Sequence, residues 1–412
     1  MEISVIIGYF HLFNIISLSS LVIFHLTLWF KHKGSHPGPK AYDAELPGIT
    51  IITPAYKEEQ NIERSLKNLL TLSYPKDKLE VIVVDDGSHD DTYKIAKQFE
   101  SKNFRVFTKV HAGKAAALNF GIRKAKFGIV AVRDADSFLE KDTLQKCIPY
   151  FNEPQTAAVT PRILAYEPRT FWEIIKQYEG MTFSIIKRSH ELINAIGVTQ
   201  GPLALYKKDI LLKVGGFDEK IVTEDIEIAW RLLKNGYSIK MAFGAQVYTI
   251  YPNTLGMLIK GEVRALLGHF QSIIRYAGYI FNPKAHAVGL FIIPMSLVTF
   301  FFAMTSLGTS LYLLFANLIS YALLLSFSVS AGVNPIFSPV QFSYDSSLLG
   351  SYSIISITLI LLLTFLAFRA NKTMPNPISL LLFFMVYPLV LNISLVIALF
   401  KLARGEQGWL TK

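Results

Sequence analysis

Four stretches of this 412-residue sequence contain no Asp, Glu, Lys or Arg: residues 3–30, 285–344, 346–368 and 373–400. A helix crossing the roughly 30 Å hydrocarbon core of a bilayer needs about 20 apolar residues, so the first, third and fourth stretches each predict one crossing. The second is too long for one helix, and Leu307-Gly308 and Gly332 are the natural places to cut it. Five spans follow, at about 4–30, 287–307, 309–330, 348–369 and 377–400. Charged residues make up 17% of the chain, well below the roughly 25% of soluble domains, which excludes a wholly soluble protein. Hydrophobic residues make up 51%, which excludes a disordered one. Cys147 is the single cysteine, so no disulfide framework forms within the chain.

The first span opens with Glu2 instead of a basic region and has no small-residue cleavage site, so it predicts a retained helix. Lys31, His32 and Lys33 follow it directly and place its C-terminal end in the cytoplasm. The polar segment 32–284 is then cytoplasmic. With five spans the 331–347 connection and the tail, with Lys401, Arg404 and Lys412, return to that side. Arg369 and Lys372 fall outside, against the positive-inside rule. This divides the chain into an N-terminal transmembrane helix (1–31), a cytoplasmic domain (32–250), amphipathic interfacial helices (251–285) and a transmembrane bundle with its tail (286–412).

After the linker 34–40 the polar segment alternates strands and helices. Residues 48–53, 79–84, 104–109 and 128–133 read as strands, and 58–72, 90–101 and 114–125 as helices. Such alternation predicts an α/β domain with a mostly parallel sheet covered on both faces. Ligands of these sheets bind beyond the C-terminal strand ends. Three acid-bearing loops lie there: Pro54 to Glu58, Asp85 to Asp90, and Asp134-Ala135-Asp136.

Asp134 and Asp136, two residues apart on a strand end, can turn both carboxylates toward one hard cation such as Mg2+ or Mn2+; a solvated turn is the plainer reading. Asp85-Asp86-Gly87-Ser88 offers a carboxylate to a base or ribose, although Asp-Gly is also an ordinary turn. Lys114, after Gly113, starts a helix where a phosphate could meet it, or it is merely solvated. Thr223-Glu224-Asp225 precedes an amphipathic helix over 226–235 and has the form of an N-cap. Arg264 lies in an amphipathic stretch over 254–279, where it either snorkels along a bilayer surface or holds a diphosphate from the membrane side. Cys147 reads as packing.

The order of these segments resembles the family-2 glycosyltransferases, and within them the membrane synthases of cellulose, chitin, hyaluronan and poly-N-acetylglucosamine. The resemblance rests on Pro54 to Glu58, Val84 to Ser88, Gly113 to Asn119, Asp134 to Asp136 and Thr223 to Asp225, and covers about 48–270. It implies a GT-A (Rossmann-like) fold beside a transmembrane α-helical domain, and an inverting, metal-dependent hexosyltransferase. The donor would be a UDP-sugar and the acceptor a growing polysaccharide. By that resemblance Pro54, Tyr56 and Glu58 line the nucleotide site, Asp86 contacts the base and Lys114 the phosphates. Asp136 and Asp134 engage Mg2+ or Mn2+ and the donor. Asp225 is the catalytic base, with Glu224 and Arg264 in the catalytic set, and Gly201 belongs to the segment beneath the acceptor.

Three departures stand out. Lys57 replaces the family's usual Asn, the stretch 250–254 lacks the family's acid, and the Gln-x-x-Arg-Trp signature reads Gly261-Glu262-Val263-Arg264-Ala265. Without the Trp there is no aromatic platform for the growing chain, which raises the alternative of a single sugar passed to a membrane lipid. A non-catalytic scaffold would have lost its carboxylates, and Asp86, Asp136 and Asp225 are present. The net charge of +10 suits anionic lipid and a nucleotide diphosphate. Its basic residues are interspersed with acids over 32–284, which argues against nucleic acid. Plasma-membrane residence and an accessory membrane subunit are the remaining expectations.

Overall fold

The computed structural model describes residues 3–32, 45–332 and 348–405. The linker 34–40, Lys33, Lys412 and nearly all of the 331–347 connection lie outside the described residues. The chain divides into two units, 1–27 with 295–366 and 28–294 with 367–412.

The larger unit is built on a single eight-stranded sheet. In chain order its elements are β1 (Ile49–Ala55), α2 (Ile62–Leu70), β2 (Leu79–Asp85), α3 (Thr92–Lys97), β3 (Phe104–Thr108), α4 (Lys114–Lys124), β4 (Ile129–Val132), β5 (Ser137–Leu139), α5 (Thr143–Cys147), β6 (Thr156–Ala165), α6 (Phe171–Leu192), β7 (Ala204–Lys207), α7 (Lys208–Lys213), α8 (Glu224–Lys234), β8 (Ser238–Thr249), α9 (Leu255–Tyr276) and, after the membrane helices, α12 (Pro377–Ala403). The preceding helix α1 (Ile3–His32) ends in this unit.

Strand order is β3-β2-β1-β4-β7-β6-β8-β5. The first four strands are parallel, as the alternation predicts. Beyond β4 the sheet becomes mixed: β7 runs antiparallel to both β4 and β6, β8 parallel to β6, and β5 antiparallel to β8. Both faces of the central strands are buried, which is why they read as largely apolar runs, with Thr50, Thr53 and Glu80 as buried polar exceptions. Ile52, Ile82 and Val84 pack with Leu118, Ile122, Leu211 and Trp230 on one face. Ile51, Val81 and Val83 pack with Leu66, Leu69, Leu144 and Cys147 on the other. Cys147 is thus core, in line with its reading as packing.

Helix α9 spends its amphipathic face on protein. It packs against α8 and α12, burying Leu258, Val263, Leu267, Phe270 and Tyr276. Thr254 caps its start by accepting the Met257 amide hydrogen.

The smaller unit holds most of α1, the bulk of α10 (Ile293–Ser330) and most of α11 (Leu348–Ala370). Inside the unit, the Thr305 hydroxyl and Asn14 Oδ1 are 2.6 Å apart, as are the Ser19 and Ser356 hydroxyls. Two expectations change here. There is no break at Leu307-Gly308: one helix, opening with a π turn, runs from Val288 to Ser330 over 43 residues. That is roughly 65 Å at 1.5 Å per residue. An isolated glycine costs only about 1 kcal/mol in a helix, whereas a break among apolar side chains would leave backbone groups without partners. Three described helices are long and apolar enough to cross a membrane, at 8–31, 288–330 and 377–403, with a shorter apolar helix at 354–370. Arg369 and Lys372 also move. The α11–α12 junction packs on the sheet-bearing unit, where Arg162 Nη1 donates to Asn371 Oδ1 at 2.8 Å and the Asn376 amide donates to the Tyr178 hydroxyl at 3.1 Å. Arg369 and Lys372 thus lie with the sheet-bearing unit and not in a loop apart from it.

Candidate active site

The parallel register puts Ala55 of β1 beside Asp85 of β2, and Asp85 beside Thr108 of β3. The three acid-bearing loops accordingly leave the sheet along one edge. Pro54 ends up as a buried residue of β1, while Tyr56 lies just past the strand end. The Tyr56 ring stacks on His111 with centroids 4.2 Å apart. Lys57 adopts φ +56°, a left-handed conformation that Asn tolerates better than other side chains.

Asp86 is 2% exposed, and its carboxylate is taken up by the loop that follows β3. It accepts from Lys109 Nζ at 2.6 Å and from the Gly113 and Ala112 amides at 2.7 and 3.1 Å, and it pairs with His111 Nδ1 at 2.8 Å. The structure thus gives Asp86 a second task, shaping the 109–113 loop that presents His111 to Tyr56 and starts α4. Gly87, at φ +76°, would bring any Cβ to 2.9 Å of the His111 amide, so this turn needs glycine.

Lys114 opens α4 and is a hub rather than a solvated lysine. Its Nζ lies 2.6 Å from Asp134 Oδ1 and 2.9 Å from Glu224 Oε1, joining the β4 loop to the start of α8. Burial alone would lower its pKa, but Asp134 and Glu224 win and hold the ammonium well above its ordinary range. Gly201 makes room for this pair: a Cβ there would sit 2.5 Å from Asp134 Oδ2 and 2.8 Å from Lys114 Nζ.

Environment separates the two carboxylates at the start of α8. Burial disfavours charge on Glu224, yet Lys114 and Arg264 hold its pKa below the ordinary value. Burial, then the neighbouring Glu224, push Asp225 up to about 6, against the pull of Lys114 and Arg264. The N-cap reading of Thr223 is not borne out. Thr223 occupies the cap position, but its hydroxyl makes no capping bond and, among the described residues, is buried without a partner. Instead Thr223 receives α9. Gly268 lies so close that a Cβ there would fall 1.9 Å from Thr223 Oγ1, and Gln271 Oε1 accepts from the Val222 amide at 3.1 Å. This seating brings Arg264, one turn earlier on α9, within electrostatic reach of Lys114, Glu224 and Asp225.

Asp136 and Glu58 complete the cluster. Burial and Asp134 push Asp136 up to about 6, and burial and Asp136 push Glu58 up to about 7. Five carboxylates (Glu58, Asp134, Asp136, Glu224 and Asp225) thus gather here, with Lys114, Arg264, Arg133 and Lys187 as the cations that act on members of the group. Among the described residues no three His, Cys, Asp or Glu side chains form a metal cage by themselves. A surplus of hard oxygen donors with one or two carboxylates per ion is the setting in which Mg2+ or Mn2+ binds together with substrate phosphates.

Every site residue expected from the sequence lies at this edge except Pro54, whose side chain is buried in the strand. Sequence reasoning missed His111, Lys109 and Gly268. His111 precedes the Gly113-Lys114 pair by two residues and was the one visible signal. Nothing local marks Gly268, because its role is contact with a loop forty-five positions earlier in the chain.

Residues 50–215 match the family model described as glycosyl transferase family 2. Over 240 residues the chain is 35% identical to a poly-beta-1,6-N-acetyl-D-glucosamine synthase of Staphylococcus aureus, covering 56% of this chain and 57% of that protein. It is 33% identical over 245 residues to the synthase of the same description from Staphylococcus epidermidis, covering 57% and 58%. The aligned part thus spans a little over half the length of these curated relatives. Among solved structures, a mannosyltransferase from Pyrobaculum calidifontis, determined with GDP-Man and Mn2+, superposes with a TM-score of 0.58 at 22% identity, over 85% of this chain and 99% of that one. That likeness shows the fold. Residues 50–215 thus carry a likeness to glycosyl transferase family 2, and the sheet-bearing unit has the GT-A fold.

Proposed function

We propose that the chain is a membrane-embedded inverting glycosyltransferase that moves a sugar from a UDP-sugar, such as UDP-N-acetylglucosamine or UDP-glucose, to a growing polysaccharide. One observation carries this reading: Lys114 ties Asp134 to Glu224 and so sets a donor-side carboxylate pair beside Asp225 in a single cluster. Asp225 is the base. A carboxyl group with a pKa near 6 is largely ionised at neutral pH yet basic enough to take the proton of an attacking hydroxyl. Glu224, held ionised by Lys114, is the anchor. Lys114 and Arg264 supply fixed positive charge where the departing diphosphate becomes more negative. Asp136, with Asp134, would hold Mg2+ or Mn2+, which supplies Lewis-acid stabilisation of that leaving group. Tyr56 and the Asp86-shaped loop form the nucleobase end.

Lys31 and His32, and Arg369 and Lys372 in the same unit as the sheet, support a cytoplasmic catalytic domain with apolar helices crossing the plasma membrane. Ala265 is exposed on α9 and offers no aromatic platform, which supports a second reading, transfer of one sugar to a membrane lipid. The test is UDP release by the full chain in detergent with added lipid, over a panel of UDP-sugars with Mn2+ or Mg2+, followed by sizing of the product. Release with one sugar, dependent on metal and on Asp225, supports the enzyme. A polymer selects the synthase and a singly glycosylated lipid the alternative. No release with any sugar refutes both.

A further inference from the structure

Of three lysines set into the sheet-bearing unit, Lys114 and Lys176 are half-buried and Lys187 alone is buried, and Lys187 has no carboxylate partner. Lys114 is paired with Asp134 and Glu224, and Lys176 with Glu179 and Glu262. Lys187, on α6, is 2% exposed. Among the described residues no carboxylate lies within ion-pair distance of it. Its Nζ donates to Gln200 Oε1 at 2.9 Å and faces a cavity of about 10 Å³ lined also by Phe183, Ser184, Met241 and Tyr251. Buried charges are ordinarily paired, so an ammonium held here by a single amide needs a reason.

The segment that Gln200 belongs to supplies one. Thr199 donates both its amide and its hydroxyl to the Asp225 carbonyl oxygen, at 3.1 and 2.9 Å. Gly201 accepts the Asp134 amide hydrogen at 3.1 Å and lies under the Lys114–Asp134 pair. Residues 199–201 therefore brace both halves of the active site, and Lys187 grips the middle residue. We propose that Lys187 is a positioning residue for the base: its ammonium fixes the 199–201 brace and provides positive charge that favours the ionised form of Asp225. The proposal rests on the reading of Asp225 as general base.

The charges that bear on this pair are few. Lys187 faces Asp225 and Glu191, and Glu191 is itself offset by Arg188 and Lys240. Asp225 faces Glu224, Lys114, Arg264 and Asp134. Burial brings the Lys187 pKa down to about 7, against the pull of Asp225 and Glu191. Lys187 is consequently charged in the pH range where Asp225 titrates and neutral above it, so its influence on the base fades as pH rises.

The experiment is the pH profile of kcat/KM for UDP release from UDP-N-acetylglucosamine, or the active donor of the panel, using the full chain. Lys187→Met and Lys187→Arg are compared with the parent after each is shown to bind UDP. In Lys187→Met the acidic limb should move to higher pH. A limb raised by about one unit lowers kcat/KM about fivefold near pH 6, with convergence on the parent above about pH 8. Lys187→Arg keeps its charge at every pH and should hold the limb at or below the parent's position. A limb unmoved in Lys187→Met, or moved upward in Lys187→Arg, overturns the proposal. Should Lys187→Met fail to bind UDP, the Lys187→Arg limb decides alone. If Asp225→Asn retains the parent's limb, the assignment of the base fails instead, and the two failures are distinct.

Discussion

One methyl group at Gly201 tests the central arrangement without altering any charged residue. The built Cβ of Gly201→Ala would lie 2.5 Å from Asp134 Oδ2 and 2.8 Å from Lys114 Nζ. Restoring an ordinary 3.4 Å contact requires the carboxylate to retreat by about 0.9 Å. Both atoms end flexible side chains, so they can swing away and the fold survives. What is lost is the 2.6 Å Lys114–Asp134 contact. A hydrogen bond between charged groups contributes about 1.5–3 kcal/mol, and a misplacement near 1 Å at reacting groups costs about a hundredfold. The expected outcome is a fall of roughly 10- to 100-fold in kcat/KM with thermal stability nearly unchanged. Gly128, just before β4, is the matched control, because a Cβ there meets nothing within 4 Å. Steady-state UDP release from both variants is the assay. If Gly201→Ala stays within about twofold of the parent, the Lys114–Asp134 pair is not part of the working site and the reasoning is refuted.

Asp225→Asn should lower kcat by about 10²- to 10⁴-fold while leaving UDP affinity intact; comparable loss of UDP binding would place Asp225 in the donor pocket instead. Near pH 6.5 the raised Asp136 and Glu58 carboxyls carry part of a proton in the free protein, and a bound cation lowers both pKa values. Donor and metal binding should therefore release protons, read as a calorimetric enthalpy that varies with the buffer's ionisation heat, and proton uptake would contradict the assignment. Gly268→Ala should destabilise the protein and lower kcat, because α9 must lift off Thr223; Gly261→Ala on the same helix, where a Cβ meets nothing within 4 Å, should stabilise it by up to about 1 kcal/mol. Equal melting temperatures for those two variants would remove the argument for close seating of α9.

Local chemistry was legible in the sequence wherever the cause is local. Largely apolar runs followed by acids marked β1, β2 and β4, and parallel α/β topology carried their loops to one edge. The charge-free stretches marked the apolar helices because backbone polar groups there must be satisfied within each segment. Tertiary structure decided what depends on approach between distant segments. The strands beyond β4 form a mixed sheet because antiparallel pairing with β7 is set by long-range register, which no single segment encodes. Val288 to Ser330 is one helix because an isolated glycine such as Gly308 is tolerated within a helical run. Gly268 against Thr223, the hub at Lys114 and the grip of Lys187 on Gln200 are meetings of side chains from different elements. A sequence names the groups with the right chemistry, but only folding sets their separations, and electrostatic strength falls with those separations.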